Sequence, residues 1–330
     1  MGEEVATGGI MDRVERQVDR SETGVGEHLE EATIGLSQMR ERLVEQSKRR
    51  LRIDPKLFEL RELETMYEDE SETLWTYMRP SGRPSFTPPM LNDFNDWQRL
   101  IRANFGPNKV PLRFLVLGSR APGVFCFGGD LELFQSLIRA NNREGLVDYG
   151  YACVEILHRN HLSLDLPMLT IGLVEGAALG GGFEALLSFD YIIAERDATF
   201  GLPEVLFGLF PGMGAHAILS RKLGSAMAER IIVSNETYTA QQMYDLGIVH
   251  RIAEPGEGRA AVQDFIAKSA RRHAGLVNAR RAMRLSQPLP LEELKRITEL
   301  WADAALQLRE QDLKVMSRLA NAQAKLANAA

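Results

Sequence analysis

A chain of 330 residues, 45% of them hydrophobic, has enough apolar material for a sizeable core in one large domain or two small ones. A formal net charge of −6 gives no general reason to expect nucleic acid, and two cysteines, Cys126 and Cys153, exclude a disulfide framework and point to a reducing compartment. No apolar run reaches membrane-spanning length and the charged N-terminus lacks a signal-peptide apolar core, so no membrane insertion and a cytoplasmic location are expected.

Residues 1–57 are polar and dense in both charges. The spacing of Leu29, Ala32, Leu36, Met39 and Leu43 predicts a helix over 27–50, ending in Lys48-Arg49-Arg50. This part reads as a partly helical or mobile extension with a solvated charge run. A core is expected over 58–256 and a helical region over 257–330. Leu63–Tyr67 and Thr73–Met78 flank an acidic turn and predict a hairpin. Thr87 and Pro88 predict a helix cap and first turn, with Leu91, Phe94, Trp97 and Ile101 on one face. Arg113–Leu117 predicts a core strand. Val124–Phe127 leads into Gly128-Gly129, where backbone can approach a ligand, and Asp130 is expected to cap the next helix. Asn142–Arg159 predicts a helix with Leu146, Tyr149, Cys153 and Ile156 as its inner stripe.

The stretch from Leu169 to Gly214 carries the chemistry. It reads as strand, glycine turn, helix, strand and loop. A helix that begins at Gly180-Gly181-Gly182 presents free N–H groups and a partial positive charge, which suit an oxygen gaining negative charge. Glu184 lies one turn in, Tyr191–Ala194 is a second strand, and Pro203 restricts the backbone before Glu204. Two carboxylates facing one site split their pKa values, one serving as acid and the other as base. Two other readings stay open at this point. Gly180-x-Gly182-x-x-Ala185 also fits a dinucleotide fingerprint with Glu204 as its acid, although Glu204 follows a proline instead of ending a strand. The glycines can also serve only to pack a helix tightly on a sheet.

Further on, Ser225 and Thr239 read as helix N-caps, Gly247 as a helix stop and Ile248–Ile252 as a last short strand. From Val262 onward helices are expected, with Leu291, Leu294, Ile297, Trp301, Ala304 and Leu308 as a stripe that must be buried. Arg271, Arg272, Arg280, Arg281 and Arg284 form a basic cluster, either an anion-receiving surface or a solvated helix face. His158, His161 and His216 lack metal-ligand spacing, so no metal is expected; His216 is the histidine nearest the candidate site.

GAALGGGFEA, followed by FGLPEVLFGLFPGMGA, resembles the crotonase (enoyl-CoA hydratase/isomerase) superfamily. Within it, Gly118–Phe125, Phe127–Leu131 and Leu209–Gly214 are most similar to diffusible-signal-factor synthases, which make cis-2-unsaturated fatty acids from 3-hydroxyacyl-acyl-carrier-protein. The resemblance covers roughly Leu63 to Arg280 and leaves residues 1–57 outside. It implies an α/β fold, a crotonase-like ββα spiral with a helical C-terminal region, and a trimer or dimer of trimers. It also implies catalysis by Glu184 and Glu204, an oxyanion hole from the N–H groups of Gly129 and Gly181, and substrate contacts from Gly128, Gly180, Gly182, Pro203 and Gly212. Part of the Leu146–Ile156 stripe would wall an acyl tunnel. The thioester itself acidifies the α carbon, so no cofactor is implied. The partner implied is an acyl-carrier-protein thioester or an acyl-CoA, with a two-component sensor as a further candidate. An ordinary enoyl-CoA hydratase or isomerase and a non-catalytic binding module are the rival expectations.

Overall fold

The computed structural model of the chain describes residues 53–329; the helix expected over 27–50 lies outside them. β1 (Leu63–Glu68) and β2 (Thr73–Met78) form the expected hairpin, with Leu63 opposite Met78. From there the chain gives alternate strands to two sheets: β3 (Phe114–Ser119) then β4 (Val124–Cys126), β5 (Leu169–Val174) then β6 (Ala177–Leu179), and β7 (Tyr191–Glu195) then β8 (Thr199–Gly201). β9 (Thr237–Thr239) and β10 (Arg251–Ala253) complete them. The large sheet runs β1-β2-β3-β5-β7-β10 and the small one β4-β6-β8-β9. Apart from the hairpin, every pairing in the large sheet is parallel. A parallel sheet is covered on both faces, which is why Leu169–Val174 is a mostly apolar run and is buried throughout.

A helical segment follows each pair of strands, giving the ββα spiral. α1 (Pro88–Asn104) comes after the hairpin, α2 (Leu131–Arg139) and α3 (Arg143–His161) after β4, and α4 (Gly181–Leu186) after β6. After β8 come a 3-10 turn (Pro203–Phe207), then α5 (Ala215–Leu223), α6 (Ser225–Val233) and α7 (Ala240–Asp245). The C-terminal region is α8 (Gly258–Ser269), α9 (His273–Ser286), α10 (Leu291–Ala305) and α11 (Glu310–Ala329). Thr87 caps α1 through the Met90 N–H, and Thr239 builds a full capping box with Gln242.

Three local expectations need correction. Ser225 is the first residue of α6, not its cap; Gly224, at φ +81°, turns the chain there and Ser225 caps nothing. The last strand starts at Arg251 instead of Ile248, because the N–H groups of Ile248 and Val249 bond back to the Met243 carbonyl (2.9 and 3.0 Å) and finish the end of α7. In α10 the fully buried side is Leu294, Thr298, Trp301, Ala302 and Ala305, so the apolar stripe is rotated from the one expected.

The basic cluster also divides. Arg271, Arg272 and Arg281 are exposed, while Arg280 lies over the Tyr191 ring at 4.4 Å. Arg284 turns inward and binds Asp190 (2.6 Å), whose other oxygen accepts from the Thr170 N–H (3.0 Å) and hydroxyl (3.2 Å). This clamp ties the chain just beyond α4 to β5 and α9. Stripping one partner from a buried pair costs about 3–5 kcal/mol, so Arg284→Met should lower unfolding free energy by that order. Arg281→Met should stay within about 0.5 kcal/mol of the parent. Urea unfolding of both variants checks this.

Candidate active site

The site forms where the small sheet hands over to its helices. After β4, Phe127 N–H donates to the Pro84 carbonyl and the Gly128 carbonyl accepts from Phe86 N–H, both at 2.7 Å. Residues 84–86 thereby act as a short splint beside the Gly128-Gly129 turn. Tyr149 on α3 fastens it: its hydroxyl donates to the Phe86 carbonyl (2.5 Å) and accepts from Asp130 N–H (3.2 Å). Asp130 caps α2, accepting from the Glu132 and Leu133 N–H groups (3.2 and 3.1 Å). Sequence reading puts Tyr149 only in a core stripe. Its role in holding the loop depends on a contact 63 residues away in the chain, which no local pattern reveals.

On the other side, Gly180 takes φ +54°, its N–H bonds to the Gly201 carbonyl (2.8 Å), and α4 starts at Gly181. The two glycine loops nearly touch. A Cβ on Gly128 would lie 2.5 Å from the Gly181 nitrogen, and one on Gly181 would lie 3.5 Å from the Gly129 nitrogen. Among the described residues neither the Gly129 nor the Gly181 N–H donates to a protein acceptor, and both residues line one small chamber. Two backbone N–H groups left free to donate at one chamber are what an oxyanion hole requires.

Glu184 and Glu204 line the same chamber, which measures about 30 Å³. Glu184 is 2% exposed, and its Oε1 accepts from the N–H groups of Met213 (2.9 Å) and Ala215 (3.0 Å). Those amides come from the Pro211–Gly214 turn and from the first residue of α5, with Gly214 at φ +134° between them. Glu204 comes from the 3-10 turn after β8; its Oε2 is buried with no protein partner. Burial raises both carboxyls. Glu184 is pushed up to about 7, restrained by its two amide donors. Glu204 stands well above the usual carboxylate range, from burial first and then from the neighbouring Glu184 charge. Above about pH 7, and until Glu204 ionises, the pair therefore holds one proton, resting on Glu204, and one charge, resting on Glu184. A reaction that needs this state should show kcat/KM rising as pH rises through about 7 and falling again when Glu204 ionises at higher pH. A pH–rate profile flat from pH 5 to 9 would remove the pair from the chemistry.

A second, apolar cavity of about 50 Å³ adjoins the chamber, and Gly181 and Met213 line both. Its walls include Phe86, Phe94, Trp97, Cys153, Ile156 and Leu157, so Cys153 and Ile156 of the α3 stripe face this cavity while Leu146 and Tyr149 do not line it. Ligand-filled pockets typically measure about 300–1,000 Å³, so a long chain enters only as these side chains move.

The remaining candidates fall as follows. Gly180, Pro203 and Gly212 line the chamber, Gly212 lying flush under Trp301, where a Cβ would come 2.5 Å from the indole Cγ. Gly128 lines neither cavity and packs against the Gly181 nitrogen. Gly182 lines neither cavity: a Cβ there would lie 2.3 Å from the Cys126 carbonyl oxygen, so this glycine packs α4 on β4. His216 also lines neither; its Nδ1 pairs with the Pro211 carbonyl at 3.1 Å and steadies the turn that holds Glu184. Cys126 is buried and its thiol is pushed up to about 12 by burial, which leaves it a packing side chain. Among the described residues no group of His, Cys, Asp or Glu is placed to hold a metal. Nor is any helix among them long and apolar enough to cross a membrane.

Residues 107–274, just over half of the chain, match the family described as enoyl-CoA hydratase/isomerase. The chain belongs to that family. The match includes Gly129, Gly181, Glu184 and Glu204. Mouse enoyl-CoA hydratase domain-containing protein 2, mitochondrial, is 35% identical over 159 residues, covering 47% of this chain and 51% of the mouse protein. Methylglutaconyl-CoA hydratase 1, mitochondrial, of Pyricularia oryzae is 33% identical over 178 residues, covering 52% and 49%. The chain thus spans about half the length of these relatives. Among solved structures, Bacillus halodurans enoyl-CoA hydratase superposes with a TM-score of 0.64 at 20% identity, over 78% of this chain and 98% of that one. Pseudomonas aeruginosa DspI does so at 0.58 and 24%, over 72% and 95%. At such identities the likeness carries the crotonase fold of the family.

Proposed function

We propose that this enoyl-CoA hydratase/isomerase family member removes water from a 3-hydroxyacyl thioester and then hydrolyses the thioester, releasing a cis-2-unsaturated fatty acid signal. The observation that carries the reading is the placement of Glu184 and Glu204 in one buried chamber with two N–H groups that have no protein acceptor among the described residues. The thioester carbonyl oxygen binds between Gly129 and Gly181, where negative charge grows as the α proton leaves. The charged carboxylate takes that proton, and the protonated carboxyl gives one to the departing β hydroxyl. Proton count in the pair is unchanged, so it is again one acid and one base when the enoyl thioester has formed. A water can then attack C1 with the ionised member as base. The acyl chain runs into the apolar cavity beside Gly181 and Met213. Acyl-carrier-protein as the carrier, a cytoplasmic trimer or dimer of trimers, and a two-component sensor as a partner belong to the same reading. So does the division into an extension over 1–57, a core over 58–256 and a helical region over 257–330.

A second reading has its own support: one relative above is a hydratase by name and the other is named for an enoyl-CoA hydratase domain, and the same pair can add water to an enoyl-CoA and release an ester. Mass spectrometry of products from the full chain separates the two, using 3-hydroxydodecanoyl-acyl-carrier-protein and the matching CoA ester. Free cis-2-dodecenoic acid is the expected product. A product still esterified selects the hydratase, and no turnover of either substrate selects a binding role for the scaffold.

A further inference from the structure

The inner face of α11 is apolar at Leu313, Met316 and Ala320, all at most 5% exposed. The same helical spacing next brings Gln323 inward, 2% exposed, where it lines the chamber of Glu184 and Glu204. Among the residues lining that chamber, the side-chain oxygens belong to the two glutamates and Gln323. Gln323 Oε1 is buried without a protein hydrogen bond, as is Glu204 Oε2. Leaving a buried carbonyl oxygen unpaired costs about 1–3 kcal/mol, which a methionine or leucine on this face would avoid. Its neighbourhood is fixed: Ser317, a turn and a half earlier on α11, donates to Gln135 of α2 at 2.7 Å.

We infer that Gln323 positions the water that hydrolyses the thioester, an inference that rests on the dehydratase–thioesterase reading above. Elimination uses two proton movements, and the two glutamates supply both. Hydrolysis adds a further demand, because an attacking water must aim a lone pair at C1 while its two protons are held elsewhere. One proton points to the ionised glutamate; Gln323 Oε1 accepts the other. The water oxygen bonds to C1 and the carbonyl electrons move onto the oxygen held by Gly129 and Gly181. The proton taken by the glutamate passes to sulfur as the C1–S bond breaks. The proton held by Gln323 stays on the new carboxylic acid.

The test is the product ratio in one tube: free acid against enoyl thioester, from the wild type and Gln323→Met. The dehydration product reports that the variant is folded and that the glutamates work. The ratio should fall by about a hundredfold in Gln323→Met, with total dehydration within about twofold of wild type and KM unchanged. Gln323→Glu, which keeps an acceptor oxygen, should recover part of the loss. An unchanged ratio, or a parallel fall in both products, overturns the inference and leaves α11 as packing. A wild type that releases enoyl thioester alone overturns the inference while dehydration stands. A wild type that turns over no thioester sinks both.

Discussion

Glu184→Gln and Glu204→Gln should each lower kcat for loss of water from a 3-hydroxyacyl thioester by about 10²–10⁴-fold, the usual contribution of a positioned acid or base. The double variant should be little worse than either single one, because the two groups act as a unit on one proton inventory. Loss of activity alone does not separate chemistry from unfolding, but the electrostatics do. Glu184 has a folded pKa of about 7 against an ordinary 4.5. Between those values the folded state holds more protons than the unfolded one, so its contribution to stability is full below about pH 4.5 and is lost as pH rises through about 7. At about 1.4 kcal/mol per pKa unit, the burden at alkaline pH is on the order of 3 kcal/mol. Glu184→Gln removes it while keeping an oxygen for the Met213 and Ala215 N–H groups. This variant should match wild type in urea near about pH 4 and exceed it by that order near about pH 8. An inactive enzyme that is also more stable has lost a catalytic group. One that is inactive and less stable at both pH values has lost its fold, and the assignment fails with it.

Most of the scaffold was legible because its signals are local. Thr87-Pro88 makes a cap and first turn, Leu169–Val174 shows the mostly apolar run of a buried strand, and Gly247 turns left-handed at φ +77° where a helix must stop. The glutamates and glycines were named from motif letters, and the chain places Gly129, Gly181, Glu184 and Glu204 around one chamber. What sequence could not supply depends on contacts between distant segments. Nothing near Glu204 says that Glu184 will hold the charge; that follows from a turn 29 and 31 residues after Glu184 aiming two amides at it. Gln323 lies outside every motif and reaches the chamber only because α11 folds back over it. Gly182 misled for the opposite reason. It belongs to the motif, yet its freedom from a Cβ serves the packing of α4 on β4. The three-residue strands β6, β8 and β9 are too short to carry a period, and their pairing alone defines them.

Gly128→Ala should lower kcat by about 10²–10³-fold, the effect of losing an oxyanion donor, with a much smaller change in KM. Gly128 itself donates nothing to the hole, and the prediction turns on what lies beside it. Its φ is +90°, and an added methyl would sit 2.5 Å from the Gly181 nitrogen and 2.9 Å from the Leu179 carbonyl oxygen. Both are backbone atoms, so no side chain can swing away. Either the β4 loop carrying Gly129 or the start of α4 carrying Gly181 has to move, and the two N–H groups no longer converge. Gly224→Ala is the control. It forces alanine into a similar left-handed conformation at φ +81°, but nothing lies within 4 Å of the added methyl. It should cost about 1–3 kcal/mol of stability through strain and leave kcat alone. Steady-state kinetics on both variants, with melting curves alongside, decide the matter. If Gly128→Ala turns over like wild type, the amides of Gly129 and Gly181 do not hold the developing charge. The glutamate pair would then have to act on a carbonyl anchored elsewhere. If it fails while Gly224→Ala does not, backbone strain is excluded as the cause and the separation of the two amides is the quantity that sets the rate.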